Sequence, residues 1–225
     1  MKNFKYILLC FTIVSLVACQ EDLLETIPND RISKEIFWKT LEDLEYASNA
    51  VYPALDGTNI FYYDGITDQL MTNHPFNSNT DVQRGFGTIA SGKFYSEWQN
   101  AYQGIRRAND FMDNVDLGEE DDQEAINRYK GEVMTLRAYI YLKLIMLYGD
   151  VPLITSGIDI EEGRTITRTP IAEIWDFIEE ELTQAAEWLP YENNGRIGKG
   201  AALALKARAM LYAGKYNEAA QAAKE

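Results

Sequence analysis

An all-α fold of stacked helical hairpins, with one long irregular segment near its amino end, is the architecture this sequence predicts. Apolar residues recur at intervals of three and four through most of the chain. Period-two alternation is confined to one candidate stretch, residues 151–160. A segment also repeats at an offset of 69, where Lys130-Gly131-Glu132-Val133-Met134-Thr135-Leu136-Arg137-Ala138 aligns with Lys199-Gly200-Ala201-Ala202-Leu203-Ala204-Leu205-Lys206-Ala207. Helices that repeat in this way bury their faces by stacking on their neighbours.

The elements follow in order. Thr40-x-x-Asp43 is a capping-box pattern that opens a first helix. Leu44, Ala47, Val51 and Leu55 carry it to Gly57, which stops it. Residues 58–95 hold no helical period. A second helix is expected over residues 96–115, with Trp98, Ala101, Ile105, Ala108, Met112 and Val115 on one face. An acidic turn precedes a third, over residues 123–148, whose buried side is Ile126, Tyr129, Val133, Leu136, Ile140, Leu144 and Leu147. Gly149-Asp150-Val151-Pro152 ends it. A fourth begins with Thr169 as N-cap and Pro170 at the first helical position, runs through Ile171, Ile174, Ile178, Leu182, Ala185 and Leu189, and closes at Pro190. A fifth covers residues 199–213, and Gly214 turns the chain into a sixth.

In the second copy of the repeat, Ala207, Gly214, Tyr216 and Ala219 lie where tetratricopeptide repeats place small and aromatic packing residues. Such a unit takes about 34 residues, and 27 remain from Lys199. The fold is therefore expected to be tetratricopeptide-like and incomplete at its carboxy end.

Composition narrows the function. Lys+Arg is 21 against Asp+Glu 35, a net charge of −14 over 225 residues. Nucleic-acid binding needs clustered basic side chains, which this sequence does not show. Fourteen Tyr, nine Phe and four Trp are too many for a disordered acidic segment. Two Cys and one His offer little for a zinc site, a thiol nucleophile or a His-based triad.

The amino end reads as an address. Lys2 and Lys5 precede the apolar residues 6–18. That run is too short for a membrane span, which takes about 20 residues, and reads as a signal peptide over residues 1–18. Leu16-Val17-Ala18-Cys19 resembles the lipobox of bacterial lipoproteins, which implies cleavage before Cys19 and its lipidation. Cys10 would leave with the signal, so the mature chain keeps no free thiol and its charge becomes −16. Residues 19–32, with Pro28, Asn29 and Asp30, form a lipidated tether, and residues 33–225 the helical region. Gln20-Glu21-Asp22 resembles the surface-export signals of Bacteroidetes-type lipoproteins.

Several segments then carry a family resemblance. Phe37-Trp38-Lys39-Thr40 with Asp43 and Asn49-Ala50 is one, and Trp98-x-x-x-Tyr102-x-x-Ile105-x-x-Ala108-Asn109 another. Leu136-Arg137-Ala138-Tyr139 leads to Leu147-Tyr148-Gly149-Asp150-Val151-Pro152-Leu153, and Gly195-Arg196 to Lys199-Gly200-Ala201-Ala202-Leu203-Ala204-Leu205. In this order they resemble the amino-terminal portion of the SusD/RagB family of outer-membrane nutrient-binding lipoproteins. The resemblance implies a binding protein and not an enzyme, lipid-anchored at the outer membrane and facing the exterior. It would work over a TonB-dependent, SusC-like transporter and capture oligosaccharides, or peptides in some members. No cofactor or metal is implied.

The candidate ligand surface is the irregular segment of residues 58–95. Aromatic faces suit the C–H faces of sugar rings, and Asn, Asp and Arg suit their hydroxyls. In the starch-binding type of the resembled family the ligand loops include this region, which implies Tyr62, Tyr63, Asp64 and Arg84 as contacts, among Phe61, His74, Phe76, Asn77, Asn79, Asp81 and Phe86. Packing of Phe61 and Tyr62 against the scaffold is the competing reading, and His74 reads as a solvated loop residue. Trp98 reads as a core aromatic, and Trp38, Trp175 and Trp188 as core or interface aromatics. Two further functions remain open: a helical docking adaptor without ligand, and a glycoside hydrolase using two of the many carboxylates.

Overall fold

The computed structural model describes residues 37–57, 63–71, 79–88, 92–118 and 121–225. The expectations for the signal peptide, Cys19, the tether, Phe61, Tyr62, His74, Phe76 and Asn77 lie outside the described residues. The chain divides into two units, Met1–Phe37 and Trp38–Glu225, and the description concerns the second.

Eight α-helices are present among the described residues: α1 Leu41–Asn49, α2 Asn79–Gln83, α3 Gly92–Asn114, α4 Gln123–Tyr148, α5 Ile160–Thr165, α6 Ile171–Trp188, α7 Lys199–Tyr212 and α8 Tyr216–Lys224. They hold no β-strand; the one bridge described pairs Val151 with Thr169, antiparallel. The all-α expectation is met, and the candidate strand at residues 151–160 contributes only that bridge.

Each long helix packs on the next: α3 on α4, α4 on α6, α6 on α7 and α7 on α8. α4 is central and also meets α1, so fifteen of its 26 residues are buried, on every side rather than on one stripe. The main core gathers Ile105, Ile140, Tyr141, Leu144, Ile174, Ile178, Leu182 and Met210. A second cluster joins Met134, Ala185, Ala186, Leu189, Ala202 and Leu203. Trp38 is buried, and Trp98, Trp175 and Trp188 pack against these clusters. Gly214 takes φ +76°, a left-handed value that a side chain would strain, and so makes the tight α7–α8 turn.

Helix ends show where local signals hold and where they yield. Thr40 caps α1 as expected: its hydroxyl accepts from the Asp43 amide at 3.2 Å, and Asp43 accepts from the Thr40 amide at 2.9 Å. α1 stops at Asn49, not Gly57, because Pro53 cannot supply a helical N–H, and Tyr52–Ala54 forms a 3₁₀ turn instead. α3 starts four residues earlier than the apolar period predicts, since Lys93 in its first turn pairs with Glu97 one turn further on, at 2.8 Å. Thr169 does not cap α6. It is spent in the bridge to Val151 and accepts from the Leu153 amide, while Asp150 Oδ1, 21 residues upstream, accepts from the Ile171 amide at 2.9 Å. α5 was not foreseen; it follows a capping box between Asp159 and Glu162.

Four of the motif residues, Arg137, Asn109, Tyr102 and Arg196, prove to be buried or half-buried fasteners. Arg137 meets Glu181 in two bonds, at 2.8 and 2.9 Å, and donates to Asn109 Oδ1 and to the Thr155 carbonyl. Asn109 donates to the carbonyls of Ile154 and Ser156, and Tyr141 and Tyr102 donate to those of Ile154 and Pro152. The irregular stretch after α4 is thereby bonded to the helices it crosses. Arg196 holds the fully buried Glu132 at 2.6 Å and reaches Ser48 and Asn49, so α1, α4 and the turn before α7 share one ionic knot.

Candidate functional site

The described part of the irregular segment is two short pieces that pack on each other. One holds the 3₁₀ turn Asp64–Ile66 and the other holds α2, and the two elements are in contact. Gln83 Nε2 donates to the Leu70 carbonyl at 3.1 Å across them. Asp64 is exposed at the head of its turn, and Arg84, just after α2, is exposed as well. Tyr63, Asp64 and Arg84 are therefore brought to neighbouring elements, but in different settings.

Tyr63 is half-buried and held by its hydroxyl. It donates to Asp56 Oδ1 at 3.1 Å, with Glu97 also in hydrogen-bond reach. The Lys93 ammonium stands 4.3 Å from its ring centroid and that of Lys143 5.5 Å. Burial, then the Glu97 and Asp56 carboxylates, push the phenol far above its ordinary range. Its hydroxyl is committed inward, which leaves ring area rather than hydrogen bonding for any ligand.

Beneath it sits an ion cluster that sequence reasoning missed. Lys143 of α4 bonds Asp56 at 2.5 Å and Glu97 at 2.7 Å, Lys93 bonds Glu97, and Tyr139 donates to Asp56. Side-chain exposure is 10% for Asp56, 12% for Glu97 and 18% for Lys143, so the charges are largely withdrawn from water and need one another. Burial alone would push the Glu97 carboxyl up. Lys143, Lys93 and the Tyr63 hydroxyl outweigh that and hold it below the usual carboxylate value. One signal was available: Lys143 lies between Ile140 and Leu144 on the buried side of an otherwise apolar helix face.

The outward surface is richer in apolar area than the selected residues suggest. Phe86 and Tyr95 leave 71% and 58% of their surface in solvent, and Leu70 and Met71 are exposed too. Phe86 and Tyr95 flank a contacting pair, because a Cβ on Gly87 would stand only 2.9 Å from the Phe94 ring. Phe86, two residues from Arg84 on the piece that packs against the Asp64–Ile66 turn, gives flat apolar area near planar polar groups. Phe86 sits between Gly85 and Gly87 without apolar periodicity, and that isolation was its sequence signal. Trp98, by contrast, packs on Tyr102 and Tyr148 at centroid distances of 4.8 and 5.2 Å.

Neither a His/Cys/Asp/Glu group able to hold a metal nor a helix able to cross a membrane occurs among the described residues. Burial pushes the Glu181 carboxyl up, but that group is locked on Arg137 between helices.

A family model described as "starch-binding associating with outer membrane" matches residues 28–211. The chain belongs to the SusD-like family. Two SusD-like proteins of Formosa agariphila are 28% and 29% identical to it, over 92% and 99% of this chain but 43% and 46% of their own lengths. The chain thus spans less than half of the SusD-like relatives it matches. A SusD-like crystal structure from Bacteroides fragilis superposes with a TM-score of 0.78 at 26% identity, covering 88% of this chain and 40% of that one. A laminarin-binding SusD-like protein shares the fold, with a TM-score of 0.75 at 24% identity over 82% of this chain and 42% of its own. The fold is the tetratricopeptide-like helical array of these SusD-like structures.

Proposed function

We propose that this chain serves as a cell-surface lipoprotein that binds nutrient oligosaccharides and delivers them to a TonB-dependent, SusC-like outer-membrane transporter. It acts as a binder and not a catalyst. The family match over residues 28–211 carries the reading. The exposed Phe86, Tyr95, Arg84 and Asp64 support a glycan surface, with Tyr62 and Tyr63 as further contacts. Leu16-Val17-Ala18-Cys19 supports lipidation at Cys19, and Gln20-Glu21-Asp22 supports export to the outward face of the outer membrane.

Expression of the full chain in a Bacteroidetes host with an alkynyl fatty acid tests the anchor, and purification of the labelled protein from outer membranes tests the partner. Lipid label that disappears in Cys19→Ala, with a TonB-dependent barrel co-purifying, is the expected result. Label that persists without Cys19, or a protein recovered without any such barrel, contradicts the corresponding half of the proposal.

A further inference from the structure

A cleft of about 270 Å³ opens between the 3₁₀ turn Tyr52–Ala54, α3 and α4, apart from the exposed aromatic surface. Its floor exists because one residue has no side chain. A Cβ on Gly104 would stand 2.8 Å from Ile140 Cδ1 and 3.0 Å from Ala54 Cβ, so glycine lets the turn settle directly on the helix. One wall is apolar, made by Pro53, Ala54 and Leu55, of which Pro53 and Leu55 reach solvent. The opposite wall is the outer face of α3, where Asn100, Gln103 and Arg107 follow one another at spacings of three and four and are all exposed. The inner end is the Asp56–Lys143–Glu97 cluster.

We infer that this cleft receives a single sugar ring of the captured oligosaccharide, as a second saccharide subsite distinct from the aromatic surface. The inference rests on the glycan reading above. Its chemistry follows from the walls. A pyranose presents C–H groups on one side and hydroxyls around its edge, and the cleft opposes an apolar wall to one made of two amides and a guanidinium. Amides both donate and accept, and the guanidinium fork spans two adjacent oxygens. The lining charges cancel, Asp56 and Glu97 against Lys143 and Arg107, which suits an uncharged ligand over an ionic one. The volume is near the lower end of the ~300–1,000 Å³ range of ligand pockets, which suits one ring. An occupant would also touch the carboxylates that hold Tyr63, so the subsite is continuous with the anchor of the ligand-side segment.

The test is a titration of the full chain with methyl glycosides and short oligosaccharides, read by calorimetry and by NMR shifts of α3. The variants are Asn100→Ala with Gln103→Ala, Arg107→Met, and, as a control outside both surfaces, Gln221→Ala on α8. All four positions are exposed, and an unchanged melting curve verifies folding. Single-ring binding should fall about tenfold or more in the α3 variants, as lost hydrogen bonds to a polar ligand would give, and stay intact in Gln221→Ala. Oligosaccharide binding that neither shifts α3 nor responds to its variants overturns the subsite and leaves the glycan function standing. A chain that binds peptides and no saccharide overturns the glycan reading itself, and the subsite with it.

Discussion

Arg137 illustrates how single side chains work in this molecule. Its guanidinium is 5% exposed and satisfied by Glu181, Asn109 and the Thr155 carbonyl. Arg137→Met would leave Glu181 buried without its counter-charge and should destabilise the fold by about 3–5 kcal/mol in urea unfolding. Replacing both residues with Met should cost less than the sum, because no orphaned charge remains. Glu97 gives a pH dependence. Its carboxyl is held below the ordinary value of 4.5, so the folded state favours the ionised form. That contribution is present above the unfolded-state pKa and is lost as pH falls through the depressed folded one. Acidification below about pH 4.5 should therefore weaken hydrogen-exchange protection in residues 63–71, and Glu97→Gln should remove that pH dependence. Protection that is flat with pH in the wild-type chain would count against the cluster as the anchor.

Among the elements, α4 was legible to the residue at both ends, because Asp122 caps it and Gly149 breaks it using only local chemistry. α1 was legible at Thr40 for the same reason. Its far end was misread because Val51 and Leu55 keep an apolar period that Pro53 cannot continue as helix. The start of α6 was legible to within one residue, but its cap was not, since the capping carboxylate comes from Asp150 through the tertiary fold. Thr40→Ala should cost about 1 kcal/mol, and Asp150→Ala a similar amount if the distant carboxylate replaces a local cap. Thermal melts of both variants check this; an unaffected Asp150→Ala would show that the Ile171 amide is satisfied by water. The candidate site was legible only in outline. Aromatic content marked the segment, but whether a ring faces solvent or a lysine depends on contacts with α3 and α4 that lie far off in sequence. Tyr63 and Phe86 came out on opposite sides of that division.

For the whole molecule, acidity and helical period together separated this chain from nucleic-acid binders and from β-rich folds, and the motifs Leu136-Arg137-Ala138-Tyr139 and Gly195-Arg196 separated it from other helical arrays. Both motifs carry buried ionic fasteners, Arg137 with Glu181 and Arg196 with Glu132, which join elements distant in sequence. Irregular backbone can then present exposed aromatic side chains because the helices beneath it are tied together. The most direct test is calorimetry of the purified chain against a panel of neutral oligosaccharides, with Phe86→Ala and Arg84→Ala measured beside it. Saturable binding of at least one glycan, weakened about tenfold in either variant with folding intact, is the predicted outcome. Heats indistinguishable from dilution across the whole panel, from a folded chain, would contradict the glycan-binding assignment.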